Sequence, residues 1–480
     1  MTIHHRQKTS PQAAPSVRLA VAGLLALWLA GCASSAISPA TRELDLPPTW
    51  HQDQAGTSEA GPGEAWLEAL KSPALNTLVN EAQTANYPLA RQRARVEELR
   101  QATATQGSSL WPSLSLGLDA DRNGITGDDG GDITTESWRA GLDLSWELDI
   151  WGKLGDRQRQ AELGYQSALA ALRQQQLQLA ADVATGWFNA IANARLEALL
   201  EQRLDNVSTD LASLEQGYRR GLSPALDVYL SRNTVADSRA NLAQQRQDLQ
   251  EARSNLQLLL ARYPGGDGLA TSATLPELDP VTPAGSPAGL LRRRPDIQGA
   301  WLDLLAADAG LAAAHKDRFP SFSLVGRAGS SSSALHGLVD AGLGSWSLGA
   351  GLAQPLFDAG RLGSLEAQAR ARVAQAEQGY LEIVFQALAE VERLLSAEHT
   401  LRDQLDAQRE SRGNADIAYE LSLQQYARGL IDYTTVLEAQ RRAFDAQTAA
   451  IRLHNRVIAN RIDLYRALGG DFAPAGAAST

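Results

Sequence analysis

The strongest constraint on this 480-residue chain is that most of it is written twice. Trp111-Pro112-Ser113-Leu114-Ser115-Leu116 is answered by Phe319-Pro320-Ser321-Phe322-Ser323-Leu324. Gly152-Lys153-Leu154-Gly155 is answered by Gly360-Arg361-Leu362-Gly363, and Ser137-Trp138 by Ser345-Trp346. Tyr218, Gly221, Leu222 and Val228 return as Tyr426, Gly429, Leu430 and Val436. One shift of 208 residues aligns all of these without a gap, which scattered chance matches do not do. The copies occupy residues 66–262 and 293–470. A Pro/Gly-rich stretch from Pro264 to Pro287 marks the 263–292 connection, and 471–480 form a tail. The fold must therefore use one supersecondary unit in tandem.

Each copy has the order helix, strand, strand, long helix, helix. Pro73 to Gly107 is rich in Ala, Leu, Arg, Glu and Gln and reads as helical. From Trp111 the period becomes two, predicting strands over 112–121 and 137–149 with a Gly/Asp-rich loop from Asn123 to Asp132 between them. Trp138, Ala140, Leu142, Leu144, Trp146 and Leu148 share one face of the second strand. Arg139, Gly141, Asp143, Ser145, Glu147 and Asp149 share the other. Copy two predicts strands over 320–329 and 345–356. The class is mainly α with a small β part.

Such alternation has two solutions. A soluble sheet packs its apolar face on a core. A membrane barrel turns that face to lipid and lines its lumen with the polar one. The N-terminus bears on the choice. Arg6, Lys8 and Arg18 precede an apolar run from Leu19 to Ala30, the layout of a signal peptide over residues 1–31. Leu29-Ala30-Gly31-Cys32 resembles a bacterial lipobox, and Cys32 is the chain's only Cys. The resemblance implies a covalent lipid on Cys32, against the alternative of an ordinary secretory signal with a chance Cys. Ala33 stands where inner-membrane lipoproteins commonly have Asp, so the implied anchor is outer-membrane lipid. Residues 32–65, rich in Ser, Ala, Gly and Pro, read as the tether. With charged residues on the polar face and strands near the ~10 residues a tilted membrane strand needs, the barrel is favoured. A helical membrane protein is excluded: mean hydropathy is −0.25, and no apolar run reaches the ~20 residues of a spanning helix. Four strands cannot close a barrel, because small barrels need about eight. The chain must pool strands with other copies of itself.

The long helix is predicted from an N-cap at Asp156, with Ser364 as its counterpart, to Tyr218, roughly 60 residues or about 90 Å. Arg220-Gly221-Leu222 turns the chain, with Ser223 as the next N-cap and Pro224 opening a return helix. The N-terminal helix can stack on that shorter helix end to end. Leu200, Leu204, Val207, Leu211, Leu214 and Tyr218 form a coiled-coil seam. So do Val235, Leu242, Leu249 and Leu256, and Leu437, Phe444, Ile451, Ile458 and Tyr465. The opposite faces are polar, which suits either solvated surface or the wall of a water-filled tunnel.

No catalytic constellation is visible. The seven His residues (4, 5, 51, 315, 336, 399, 454) are scattered, and no HExxH, P-loop or dinucleotide fingerprint is present. The chain reads as neither an enzyme nor a metal or cofactor protein. The net charge of −11 becomes −14 without residues 1–31, which argues against a nucleic-acid partner.

Arg292-Arg293-Arg294-Pro295-Asp296-Ile297, Phe319-Pro320 and Pro355-Leu356-Phe357-Asp358-Ala359-Gly360-Arg361 resemble the outer membrane efflux proteins of TolC type, as does Trp146-Glu147-Leu148-Asp149-Ile150-Trp151-Gly152. The closest likeness is to the lipoprotein branch serving resistance-nodulation-division pumps. It implies a homotrimer whose twelve-stranded β-barrel continues as a long periplasmic α-helical barrel with an equatorial belt near the linker. It implies a passive exit duct for small molecules such as drugs, docked to a periplasmic adaptor and an inner-membrane pump. Type I protein secretion and metal efflux share such ducts. A non-conducting lipoprotein whose coiled coils bridge the periplasm is the reading from another class. By resemblance, Arg220, Gly221, Leu222, Arg428, Gly429 and Leu430 match adaptor-contacting tips, although the two glycines also suit plain helix ends. Glu438 matches a constriction acid and Asp227 a residue of the network holding the aperture shut; Asp432 lies beside them. In a trimer such acids would form rings that raise their own pKa values, or they are solvated acids suited to helix N-termini. Thr435 stands where relatives carry a second acid.

Overall fold

The computed structural model describes residues 46–52, 66–126, 132–267, 274–279, 285–340 and 344–470. Cys32, the 1–31 leader, most of the 32–65 tether and the 471–480 tail lie outside the described residues. Helices α1 (Trp66–Ala69), α2 (Pro73–Ala85) and α3 (Tyr87–Ser108) lead into strands β1 (Ser113–Thr126) and β2 (Asp132–Leu148). The long helix α4 (Lys153–Arg219) and the return helix α5 (Ala225–Leu259) complete the first copy. The second copy comprises α6 (Pro287–Arg293), α7 (Pro295–Lys316), β3 (Ser321–Ser332), α8 (Leu335–Asp340), β4 (Ser345–Ala353), α9 (Arg361–Ala427) and α10 (Tyr433–Ala467).

The four strands form one antiparallel sheet in the order β1-β2-β3-β4. Its register sorts the side chains by polarity. Leu114, Leu144, Gly326 and Leu348 lie in one row, and Leu116, Leu142, Ala328 and Trp346 in another. That face is bare: Leu116 is 70% exposed and Trp346 81%. The other face carries the row Ser115, Asp143, Arg327 and Ser347, and Arg327 is ion-paired to Asp143 at 2.5 Å. The pairing of β1 with β2 repeats in β3 with β4 under the same 208-residue shift: Ser113 faces Ser145, and Ser321 faces Ala353. The strands differ from the expected lengths. β1 runs on to Thr126 and β2 starts at Asp132, both within the Gly/Asp-rich stretch, because ladder hydrogen bonds need no apolar side chains. β4 stops early at Ala353, before Pro355, which has no N–H to give.

Helices α4 and α9 have 67 residues each and are about 100 Å long. Both begin three residues before the expected caps. Gly152 and Gly360 turn the chain with φ of 72° and 84°, and the caps come from upstream. Asp149 accepts hydrogen bonds from the Leu154 and Gly155 N–H groups (2.9 and 2.8 Å), and Asp358 from those of Gly360 and Leu362 (3.0 and 2.8 Å). The stretch read as one N-terminal helix breaks at Asn86, ahead of Pro88, into α2 and α3.

The break makes the end-to-end stacking. Asn86 Oδ1 caps α3 by accepting from the Leu89 N–H, and its Nδ2 donates to the last-turn carbonyl of α5, Leu259, at 2.9 Å. Arg294 and Ala467 are the counterparts of Asn86 and Leu259 one repeat later. Arg294 Nη1 donates to the Ala467 carbonyl at 3.1 Å, joining α7 to α10. This second joint is ionic. Arg294 also holds both Asp296 oxygens (3.0 and 2.7 Å) and Glu390 (2.7 Å), and Arg466 holds the other Glu390 oxygen at 2.7 Å. The Arg-Pro-Asp motif is thus a helix splice.

In α5 the predicted seam Val235, Leu242, Leu249 and Leu256 is buried. In α10 the expected seam holds at its C-terminal end, where Ile458 (0% exposed) and Tyr465 (5%) are in the core, and a buried stripe one residue earlier accompanies it: Val436, Ala443, Ala450, Val457 and Leu464, all at most 6% exposed. Small side chains let the helices approach closely there, and Leu437, Phe444 and Ile451 flank the contact, partly buried. The segment 274–279 of the connection is pinned to the helices. His454 Nε2 donates to the Pro276 carbonyl (3.0 Å), and Arg461 and Arg402 donate to that of Asp279 (3.1 and 2.8 Å). Beneath it Glu398, 2% exposed, is held by Arg461, Arg402 and Asn460.

Candidate functional site

The turn after α4 is closed by backbone geometry. The Leu222 N–H donates to the Gly217 carbonyl (2.9 Å) and the Gly221 N–H to that of Tyr218 (3.0 Å), while Gly221 has φ 72°. The second tip repeats this: Leu430 to Gln425 (3.0 Å), Gly429 to Tyr426 (2.8 Å), with Gly429 at φ 71°. A Cβ at either glycine would meet open space, so the backbone conformation alone demands glycine. Such a helix ending usually packs its next apolar residue back on the helix. Here Leu222 is 78% exposed and Leu430 67%. Both tips present a bare leucine beside an arginine, Arg220 or Arg428. Pro224, rather than Ser223, is the N-cap of α5.

The three acids sit in different environments. Asp227, in the first turn of α5, is 8% exposed. Burial pushes its pKa up, and the charge of Asp432 adds to this; a hydrogen bond from Tyr426 on the other hairpin partly offsets both. Asp432 is the exposed N-cap of α10, its carbonyl accepting from the Thr435 N–H at 3.0 Å. Glu438 departs from the expected raised pKa within the chain. Arg441 grips it with two nitrogens (3.0 and 2.9 Å) and Arg442 with one (2.7 Å), so its carboxyl is held down to about 2. Both arginines sit one turn further along α10, and Arg441 also reaches Asp445 at 3.1 Å.

Above the tips, Leu214, Val228, Tyr433 and Val436 form a small core joining the two hairpins. Burial pushes the Tyr433 phenol up to about 12. Gln440 of α10 ties α4 to α9, donating to Asp210 (3.3 Å) and to the Tyr419 hydroxyl (2.8 Å). Arg203 of α4 stacks on the Phe444 ring at 3.7 Å. Leu214 and Phe444 lie on the expected seams, whereas Arg203, Asp210 and Gln440 sit on stripes that look merely polar in sequence. Along α10 run two connected grooves of 630 and 700 Å³ sharing Gln408, Asp445 and Ala449, their walls amide-rich with acids and arginines interspersed.

Among the described residues no group of His, Cys, Asp or Glu is placed to hold a metal, and no helix is long and apolar enough to cross a membrane. Cys32 lies outside the described residues.

A family model described as outer membrane efflux protein matches residues 78–262 and 287–470. The chain is 32% identical over 416 residues to the solvent efflux pump outer membrane protein SrpC of Pseudomonas putida, covering 85% of this chain and 87% of that protein. It is 31% identical over 461 residues to the pyoverdine export outer membrane protein OpmQ of Pseudomonas aeruginosa, covering 93% and 95%. Among solved structures, the outer-membrane channel OprN shares the fold with a TM-score of 0.83 at 24% identity, covering 91% of this chain and 99% of that one.

Proposed function

Because the chain belongs to the outer membrane efflux protein family, we propose that it acts as a homotrimeric exit duct, passively passing small molecules outward when docked to a periplasmic adaptor and an inner-membrane pump. It is an outer membrane efflux protein; the trimer, the partners and the cargo are what is proposed. The observation that carries the reading is the sheet. One face is apolar and bare along β1 and β2 from Leu114 to Ala120 and Trp138 to Leu148, with the Arg122–Glu136 ion pair only towards the loop end; the other holds Asp143, Arg327, Arg139 and Asp121, and both edges are unpaired among the described residues. Unpaired backbone groups cost several kcal/mol each in hydrocarbon, so such a sheet must close on something. Three copies supply the twelve strands of a barrel with a water-filled lumen.

Cys32 carries the lipid anchor in this reading. Leu222 and Leu430, with Arg220 and Arg428, form the adaptor-facing tips, their exposed leucines being the side chains with most area to bury. Asp227, Asp432 and Glu438 line the narrow end. Organic cargo fits better than soft metal ions, because the sole Met and sole Cys stand at positions 1 and 32 and leave the duct without thioether or thiolate ligands. Purified protein in a planar bilayer tests the reading. The double variant Asp227→Asn, Glu438→Gln is expected to conduct at least as well as the unaltered chain. Silence from both would favour the bridging scaffold. In a pull-down with the cognate adaptor, Leu222→Ala with Leu430→Ala should lose capture while keeping the thermal midpoint.

A further inference from the structure

We infer that the 630 Å³ groove along α10 is a binding site on the inner wall of the duct for organic anions, in which Arg452 and Arg456 hold a carboxylate and the leucines beneath them take an apolar body. This rests on the exit duct proposed above and deepens it by naming a class of cargo.

The fold decides which side of the wall the groove opens on. Helix α4 packs on both α5 and α10, and α10 packs on α9, so the four lie in the order α5, α4, α10, α9. The groove is lined from all four, by Gln244 of α5, Leu200 of α4, Arg452 of α10 and Gln404 of α9 among others. One cavity touches four helices in a row only on the concave side of that row. The segment 274–279 lies on the other side. His454 and Arg402 hold it, and a helix turns about 200° in two residues, so Arg452, Arg456 and Gln404 face away from it. In a trimer the concave faces of three copies enclose the passage.

The charges in the groove favour an anion. Its acids are already engaged: Asp445 by Arg441 at 3.1 Å, and Asp248 by the Gln244 amide at 2.9 Å. Its arginines are not. Arg452 and Arg456 are exposed, and among the described residues neither has an ion pair. Like charges four residues apart on a helix repel and weaken it, so the fold gains nothing from the pair. Side chains at that spacing have Cβ atoms about 5–6 Å apart, close enough for two guanidinium forks to share one carboxylate. Beneath them Leu196 and Leu200 are buried, and Phe444 and Leu453 complete an apolar floor. The volume suits a drug-sized ligand. The neighbouring 700 Å³ groove offers no such pair, because its charged residues Glu438, Arg442 and Asp445 are all matched by opposite charges. A cationic rim over an apolar floor fits an aromatic or amphiphilic acid.

The test is equilibrium dialysis of the full-length protein in detergent against 2-naphthoate, 2-naphthamide and 2-naphthylmethylammonium, which share one aromatic body and differ in charge. The unaltered chain should bind the carboxylate roughly tenfold more tightly than the amide or the ammonium. Arg452→Gln with Arg456→Gln should lose that preference while keeping the thermal midpoint. Arg452→Glu with Arg456→Glu should reverse it in favour of the ammonium, a gain that misfolded protein cannot show. Equal binding of the three probes by the unaltered chain, or binding of none, would overturn the site. So would an unchanged preference in the Gln variant. The planar-bilayer assay separates the site from the duct it rests on. Conduction without naphthoate binding would overturn the site and leave the duct standing. Naphthoate binding by a chain that never conducts would keep the groove as an anion binder and overturn its place in a duct.

Discussion

The two helix splices allow one prediction in depth, because the same job is done once by a neutral side chain and once by a charged one. In Arg294→Ala, a side chain 8% exposed disappears from between Asp296, Glu390 and the Ala467 carbonyl. Breaking a buried ion pair costs about 3–5 kcal/mol. Asp296 is 26% exposed and Glu390 keeps Arg466, which places the cost near the lower end, about 3 kcal/mol. In Asn86→Ala, the losses are a helix cap and one neutral hydrogen bond, about 1 kcal/mol each. Amide hydrogen exchange reads such local openings directly. At tenfold per 1.4 kcal/mol, the last turn of α10 should exchange roughly 150-fold faster in Arg294→Ala, and that of α5 about 30-fold faster in Asn86→Ala. Arg294→Lys keeps the charge but loses the planar fork, and should fall between wild type and Ala. Equal losses at the two joints, or less than tenfold for Arg294→Ala, would refute the claim that the ionic ring adds stability beyond the neutral splice.

Two further outcomes follow from the tips and the helices beside them. Gly413 and Gly429 both have open space where a Cβ would go, but only Gly429 has positive φ. Gly413→Ala should stabilise α9 by about 0.5–1 kcal/mol, and Gly429→Ala should destabilise the tip by about 1–2 kcal/mol; chemical unfolding of the two variants checks the opposite signs. Asp227 titrates above the usual carboxylate range, so the folded state holds its proton more tightly than the unfolded chain does. Stability is therefore lost as pH rises through the interval between the unfolded and folded values, and is intact below it. Asp227→Asn should gain stability over wild type at pH 7 and lose that gain at pH 4 in thermal melts; a gain larger at pH 4 would contradict the assignment.

What the sequence disclosed and what it hid divide along physical lines. The tandem unit, the two-faced sheet and the long hairpins were legible because hydrophobic period and repetition are written in side chains. The fold class and the outer membrane efflux role follow from those features and from the family match. The helix starts were misplaced because Asp149 and Asp358 act from outside the helix, across glycines whose left-handed φ no periodicity reports. The α10 seam was placed correctly at Ile458 and Tyr465, but nearer the tip the alanines at Ala443 and Ala450 pack more closely than Phe444 and Ile451 beside them. Glu438 was legible by resemblance as a constriction acid but its low pKa was not, because the helix places Arg441 and Arg442 three and four residues along on the same side, where they hold the carboxylate. Arg294 was recognised as a motif but not as a cap, since its acceptor, the Ala467 carbonyl, carries no signature in sequence.

The same reasoning bears on the segment 274–279. His454, Arg402 and Arg461 grip it by the carbonyls of Pro276 and Asp279, and Lys71 takes that of Glu277. A clasp that closes on main-chain oxygens is indifferent to much of what the clasped residues are. Over evolutionary time Thr274 and Pro276 are free to drift, whereas Leu275 and Leu278 are held by the core, Glu277 by Arg409 and Asp279 by Lys71, and the four cationic and imidazole side chains around them are fixed by the carbonyls they hold. Natural variation among descendants of this gene should accumulate at Thr274 and Pro276 and spare both the fingers and the side chains they grip.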